Sequence, residues 1–435
     1  EEEEEEEDVS PTMCLNYGPE CGSPNLLSEL SLFLERQTKC DELPYNNFQK
    51  EENQNKFFIT NGVSHSLELT CATLTSPGDV VYVERPTYFL VADIFRAHGL
   101  QVFGLPMLPP QTSSATTMGQ INVPLFISLL KQHKIPKPKL VYIIPTNQNP
   151  TGYTMSLDDR MLLAEFVMEE GIVLVADEVY HLLDWRDDGD VGEGKDQTQR
   201  YRQQKRQRRR PARMATFNNY HNLLDNPPKG CCLSLSSFTK IYAPGIRLGW
   251  IEGPPSILSS IQNYGYIQSQ GGVAPFVGNF LVCHALRNRM VDGFLEKLRK
   301  EYKTRAARLV EILEEERRMR VVNGLPTGGY FVWIEFSGGV KAVDFLRFCS
   351  EEGTDAGDLG VRFRPGVKCD AFLERQKEEG DWNVDEISRV SASSFDSCAR
   401  LCFADLDYKD LEEGAKRLIE AFRMYVEEHK CSMSD

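Results

Sequence analysis

The chain has 435 residues, 41% hydrophobic and 26% charged, enough to bury a large core divided into more than one domain. No run of 18 or more apolar residues occurs, so no membrane span is expected. Twelve Cys occur without a CxxC pair or a Cys/His cluster of metal-ligand spacing, which leaves free, mostly buried thiols and no expected metal.

The net charge of −15 says little about partners, because residues 1–8 (seven Glu and Asp8) supply eight negative charges as a self-repelling, solvated tail. The chain starts without Met, so its natural N-terminus is expected to lie upstream. Targeting is then unreadable, and a cytoplasmic location is only the default expectation.

Residues 9–44 form an N-terminal segment, expected to associate with a small domain or a partner subunit. It holds Leu15-Asn16-Tyr17-Gly18 and then Leu26, Leu27, Leu30, Phe33 and Leu34 at helical spacing. From 45 to 284 short apolar runs alternate with helical patterns. Phe57–Thr60 is a strand turning at Gly62, followed by a helix through Leu67 and Leu74. Val80–Val83 is a strand before a helix over Phe89–Ala97. Leu140–Ile144 is a strand, Leu157–Glu170 a helix closed by Gly171, Ile172–Ala176 a strand, and Cys231–Leu235 another. This alternation predicts an α/β large domain with a mostly parallel sheet covered by helices on both faces.

Residues 186–229 break the rhythm as an irregular, polar insertion, and eight basic residues fall between Arg200 and Arg213. Without interleaved aromatic rings the basic run reads as a solvated surface segment, and nucleic acid is not expected as a partner. From 285 to 435 a long connecting helix (Asp292–Glu316) leads to a strand over Gly328–Glu335 and helices over Ala342–Ser350 and Leu411–Val426. That is a smaller α+β domain, interrupted by a charged loop at 371–397.

Ligands of open α/β sheets bind outside the carboxyl ends of the strands. Four strands here end in reactive side chains: Tyr88 after Val80–Val83, Asn149 after Leu140–Ile144, Asp177 and Tyr180 after Ile172–Ala176, and Ser237 and Lys240 after Cys231–Leu235. A lysine amine forms a Schiff base with a carbonyl. A buried carboxylate such as Asp177 keeps a pyridine nitrogen protonated. Asn149 and Tyr180 supply partners for a ring oxygen, and Tyr88 an aromatic face. The helix start at Gly62-Val63-Ser64, with Ser237 and Arg247, suits a phosphate. The set describes a pyridoxal 5'-phosphate site.

Asn149-Pro150-Thr151-Gly152, Asp177-Glu178-Val179-Tyr180, and Ser237-Phe238-Thr239-Lys240 with Arg247 resemble fold-type I pyridoxal-phosphate aminotransferases of class I/II. The run Lys240-Ile241-Tyr242-Ala243-Pro244-Gly245-Ile246-Arg247 is most similar to the branch holding 2-aminoadipate, kynurenine and aromatic aminotransferases. The resemblance implies a transaminase that moves an amino group between an L-amino acid and a 2-oxo acid. It implies Lys240 as the Schiff-base lysine and proton carrier, Asp177 on the pyridinium, and Asn149 and Tyr180 on the ring oxygen. It further implies Tyr88 stacked on the ring, and Gly62, Val63, Ser64, Ser237 and Arg247 on the phosphate. Arg400, in Ala399-Arg400-Leu401-Cys402-Phe403-Ala404, matches the arginine that grips the substrate carboxylate beside Asn149. Tyr17 matches a tyrosine that reaches the neighbouring subunit's phosphate, which implies a homodimer. Two alternatives stay open at this point: another reaction of the same cofactor, such as a C–S lyase or decarboxylase, and a weakly catalytic, ligand-sensing homologue. The segment 186–229 is longer than the family usually has there, as a tolerated loop or a mis-joined coding segment.

Overall fold

The computed structural model describes residues 16–39, 41–42, 56–108, 118–186, 209–223, 229–350, 355–370 and 395–429. The acidic tail, most of the basic run (200–208) and the charged loop at 371–394 lie outside the described residues.

A seven-stranded sheet forms the large domain. In chain order its strands are β1 (Phe57–Thr60), β2 (Val80–Val83), β3 (Gln101–Gly104), β4 (Leu140–Ile143), β5 (Val173–Asp177), β6 (Cys231–Ser237) and β7 (Gly249–Glu252), and in space they run β1-β7-β6-β5-β4-β2-β3. The pairs β6-β5, β5-β4, β4-β2 and β2-β3 are parallel, whereas β7 runs antiparallel to both β1 and β6. Every residue of β4, β5 and β6 is buried, as befits central strands covered on both faces.

The covering helices start where the sequence offers caps. Asn122 accepts from Leu125 N at 3.1 Å to open helix Val123–Lys131, with Pro124 in its first turn. Ser156 accepts from Asp159 N at 3.1 Å to open Leu157–Glu170, where Asp158 and Asp159 complement the helix dipole. Ser23 opens helix Pro24–Thr38, which buries Leu26, Leu27, Leu30, Phe33 and Leu34 as their spacing predicts. This helix joins the long helix Met290–Leu313 through the Arg36–Asp292 pair at 3.0 Å.

The small domain carries an antiparallel sheet of β8 (Met319–Val322), β9 (Phe331–Phe336), β10 (Arg364–Pro365) and β11 (Cys398–Cys402), in the order β10-β11-β9-β8. Alternation divides its side chains between two faces. Phe336 packs on Phe345 and Phe422, at 5.3 Å from each, against helices Ala342–Phe348 and Tyr408–His429. The other face presents Phe331, Trp333, Arg400 and Arg364, and Phe331 meets Tyr180 of the large domain at 6.0 Å.

Three expectations change. Strand β3 and helix Val123–Lys131 occupy a stretch with no predicted element. The helix expected from Phe89 begins at Val91, and the strand expected to stop at Ala176 runs to Asp177, so the carboxylate is held on sheet backbone. The described cysteines are free and mostly buried as expected, with Cys402 exposed and Cys21 half-buried.

The third concerns the insertion, whose described part is not a solvated surface loop. Arg210 is buried and donates from Nε to Asp41 Oδ1 at 2.8 Å, and Arg213 is buried against Glu252. Met214–Leu223 is a 3-10 segment whose Met214 and Phe217 enter the core. Of the described arginines of the run, Arg209 alone is exposed.

Candidate active site

Strands β2, β4, β5 and β6 run parallel, so their carboxyl ends open on one edge of the sheet, facing the Phe331 side of the small sheet. Asp177, Tyr180, Asn149, Ser237 and Lys240 meet there. Asp177 is buried. Its Oδ2 accepts from the Tyr142 hydroxyl at 2.9 Å and its Oδ1 from Val179 N at 3.4 Å. Burial raises its pKa to about 6 against the pull of those donors and of Lys240. Lys240 lies in the short helix Phe238–Ile241, its Nζ 5.1 Å from the centre of the Tyr330 ring. Burial lowers its pKa; Asp177 opposes that, while Arg400 and Arg247 add to it. The amine therefore gives up its proton more readily than a surface lysine.

Tyr180 is buried with its ring 5.5 Å from that of Tyr330, and burial, followed by the Asp177 charge, holds its phenol protonated. Asn149 is also buried, and its Oδ1 accepts from Arg400 Nη1 at 2.9 Å. The Arg400 guanidinium lies 4.1 Å from the centre of the Phe331 ring, and its buried Nε has no hydrogen-bond partner. Tyr88 is half-buried. Burial and then Asp177 raise its pKa while Arg400 lowers it, so it lies within electrostatic reach of both.

A second cluster sits beside Lys240. Gly62 caps helix Val63–Leu74 at φ +83° with no side-chain cap, so the first-turn N–H groups of Val63 and Ser64 have no side chain bonded over them. A side chain at Gly62 would crowd this cradle: its Cβ would stand 3.2 Å from Arg247 Nη2 and 3.8 Å from Ser237 Oγ. The Ser237 hydroxyl is 2.8 Å from Thr239 Oγ1, to which Arg247 Nη1 donates at 3.3 Å. Tyr17 is not brought into this cleft. It is 86% exposed and rests against Gly271.

Several contributors went unread in the sequence. Tyr142 is a hydroxyl inside an otherwise apolar strand, which was the available signal. Thr239 stands two residues after Ser237 on the same helical turn. Arg160 is fully buried and donates to the carbonyls of Met155, Pro145 and Ala212, pinning the loop that carries Asn149. Gln148 Nε2 donates to Pro86 O at 2.7 Å and joins that loop to the one bearing Tyr88. Nothing in their spacing marks Arg160 or Gln148.

The donor set fits a phosphorylated pyridine aldehyde. A buried carboxylate at about 6 is short of a cation, an amine lies nearby, and an uncapped helix start with a hydroxyl and a guanidinium matches a phosphate. Among the described residues no group of His, Cys, Asp or Glu could hold a metal ion, and no helix is long and apolar enough to cross a membrane.

Known proteins point the same way. The chain is 26% identical over 371 residues to a 2-aminoadipate transaminase of Thermus thermophilus, covering 84% of this chain and 75% of that protein. It is 27% identical over 387 residues to an aromatic amino acid aminotransferase of Schizosaccharomyces pombe, covering 85% of this chain and 70% of that protein. In fold it is similar to a kynurenine aminotransferase of Pyrococcus horikoshii (TM-score 0.70, 24% identity, 96% of this chain and 84% of that one). It is also similar to an alpha-aminoadipate aminotransferase of Thermus thermophilus (TM-score 0.68, 22% identity, 96% and 86%). The family model described as Aminotransferase class I and II matches residues 2–418, which does not favour the lyase, decarboxylase or ligand-sensor alternatives; the chain belongs to that family and is a pyridoxal 5'-phosphate-dependent transaminase.

Proposed function

We propose that transamination takes place in the cleft between the two sheets, with Lys240 as the covalent attachment point and proton carrier and Arg400 as the grip on the substrate α-carboxylate. The observation that carries this is the buried, unpartnered Nε of Arg400, fixed beside Asn149 on the same cleft as Lys240 and Asp177. A guanidinium with an unmet donor in a buried setting is a site for a planar carboxylate.

When bound, pyridoxal 5'-phosphate supplies an electron-accepting ring. The chain's residues do the rest. Asp177, ionised, holds a positive ring nitrogen. Asn149 and Tyr180 donate to a ring oxygen, and Tyr88 covers the ring. Val63, Ser64, Ser237 and Arg247 hold the phosphate around Gly62. Lys240, released when the amino acid enters, moves a proton from the substrate Cα with its Nζ. Burial favours that step because it lowers the proton affinity of the amine.

Lys240→Ala tests this directly. Borohydride treatment of the wild type with cofactor should fix the cofactor mass on the peptide containing residue 240, and the variant should show no such mass and no oxo-acid formation. Turnover surviving in Lys240→Ala would overturn the assignment.

The active unit in this reading is a homodimer in which Tyr17 serves the neighbouring site. Tyr17 lies against Gly271, near an exposed apolar stretch with Tyr266, Phe276, Phe280 and Leu281, where Phe276 and Phe280 stack at 5.4 Å. Sedimentation should give twice the chain mass, and Tyr17→Phe should weaken cofactor binding while leaving that mass unchanged.

A further inference from the structure

Lys240 is the last residue but one of the short helix Phe238–Ile241. A helix leaves its final carbonyls without intrahelical donors, and the residue four positions on is Pro244, which has no N–H to give. The N–H groups of Tyr242 and Ala243 both go to Phe238 O. The Lys240 carbonyl is met instead from the small domain, where the Tyr330 hydroxyl donates to it at 3.0 Å. The same tyrosine reaches the other end of the lysine. Nζ lies over the Tyr330 ring, 5.1 Å from its centre, inside the range of about 6 Å over which a ring face attracts a cation.

Tyr330 is itself held. Its hydroxyl is hydrogen-bonded to that of Tyr302 on the long helix Met290–Leu313. Its ring lies 5.5 Å from the rings of both Tyr302 and Tyr180, and its carbonyl accepts from Phe403 N at 3.0 Å. Gly328 and Gly329 let the chain come this close to the large domain. A Cβ at the first would stand 2.6 Å from Asp184 Cα, and one at the second 2.9 Å from Asn147 Cβ.

The amine needs such a contact. Burial is the largest influence on it and disfavours its charge; Asp177 and Cys402 favour the charge, while Arg400 and Arg247 oppose it. Burial also holds the Tyr330 phenol protonated, so its ring brings an attractive face and no competing charge.

We propose that Tyr330 is a positioning residue that grips Lys240 at both ends, its hydroxyl fixing the lysine backbone and its ring face holding the free ammonium at the cleft. The inference rests on the reading that Lys240 is the covalent attachment point and proton carrier. Once released, the amine sits on a flexible four-carbon stem, and the ring face restricts where it waits before it acts on the substrate Cα. No bond forms or breaks at Tyr330.

Two substitutions separate the two contacts. Tyr330→Phe keeps the ring and removes the hydroxyl. Tyr330→Met removes the ring as well and keeps a long apolar side chain. The first readout needs neither cofactor nor substrate: trace acetylation of the cofactor-free protein from pH 6 to 11, followed by mass spectrometry of the peptide containing residue 240, gives the acidity of the Lys240 amine. Tyr330→Met should lower its apparent pKa by about half to one and a half units, the span of a cation–π contact, because the ring favours the charged form. Tyr330→Phe should leave it within about 0.3 unit. An amine equally acidic in all three proteins would overturn the proposal.

The second readout uses the cofactor-loaded enzyme. Tyr330→Phe should lower kcat by about 10-fold and leave KM for the amino acid within about 2-fold, because the carboxylate grip is untouched while the proton carrier is misplaced. A raised KM with unchanged kcat would make Tyr330 a substrate contact, and kinetics equal to the wild type would show that the hydroxyl fixes nothing; either result overturns the proposal, whether or not Tyr330→Met folds. These failures leave Lys240 essential, whereas turnover in Lys240→Ala would bring down the reading of the whole site.

Discussion

The Tyr142 hydroxyl donates to Asp177 Oδ2 at 2.9 Å across two parallel strands. Tyr142 pairs in register with Val175, and Asp177 lies two residues further along the same face, so sheet geometry alone sets the contact. The bond favours the charged carboxylate, while burial favours the neutral acid and leaves the pKa at about 6.

Cofactor affinity should follow that balance. Ionised Asp177 pairs with a ring cation, so affinity should be flat above about pH 6 and fall below it. Tyr142→Phe removes a donor to the charged form and raises the Asp177 pKa further. The break in a plot of pyridoxal-phosphate affinity against pH should move up by about one unit, the equivalent of a hydrogen bond to a charged group. Equilibrium titrations of cofactor-free protein from pH 5 to 8 would read it, and an unmoved break would show that the bond does not tune Asp177.

Glu84 makes a separate prediction about stability. It is buried, accepts from Ile144 N at 2.8 Å, and burial raises its pKa to about 8. The folded state thus holds this proton more tightly than the unfolded chain. The stability this adds is present at low pH and is lost as pH rises through about 8. Glu84→Gln keeps an acceptor for Ile144 and cannot ionise. Its melting temperature should match the wild type near pH 5 and exceed it at pH 9, with the gap widening by up to about 1.4 kcal/mol per pH unit between. A gap that shrinks with pH would contradict the assignment.

The sequence made the sheet and its strand ends legible because short continuous apolar runs and glycine punctuation are local signals. Asp177 and Ser237 end their strands, and Tyr180 and Lys240 follow them closely, so the topology that brings the strands together brings these residues with them. That Arg364 stands opposite Arg400 was not legible. It depends on the antiparallel register of two strands on either side of residues 371–394, and no spacing encodes that. Arg210 and Arg213 were misread for the opposite reason. A run of like charges has the composition of a solvated segment, and only the positions of Asp41 and Glu252 in space reverse that reading.

Gly249 tests how the phosphate cradle is held. A Cβ there would stand 2.6 Å from Ser236 O and 2.9 Å from Gly62 Cα, both backbone atoms that cannot turn aside. Gly249→Ala should therefore push the Gly62 turn away from Ser237. We expect about 1–3 kcal/mol of lost stability by denaturant unfolding, typical of overpacking, and weaker cofactor binding. Gly245→Ala, where nothing lies within 4 Å, is the control and should change neither. Equal behaviour of the two variants would remove close backbone approach as the reason for glycine at 249.

Arg210 and Asp41 offer the sharpest test of the former insertion. Asp41 is buried with two neighbours, Arg210 and His181. Burial pushes its pKa up, but the attraction of Arg210 and His181 outweighs that and leaves it below the usual value. Burial holds His181 down at about 3, so near neutrality it is uncharged and Arg210 is the principal countercharge. Arg210→Ala should then cost about 3–5 kcal/mol, the range for stranding one member of a buried pair. Arg209→Ala, at the exposed neighbouring position, should stay within about 0.5 kcal/mol. Asp41→Asn added to Arg210→Ala should recover part of the loss, because it removes the stranded charge. Arg210 Nη1 also donates to His181 O at 3.1 Å, one residue beyond Tyr180, so Arg210→Ala should lower transamination beyond its effect on folding. Were Arg209→Ala and Arg210→Ala equally mild, the pair would contribute nothing and the run would be a solvated surface segment after all.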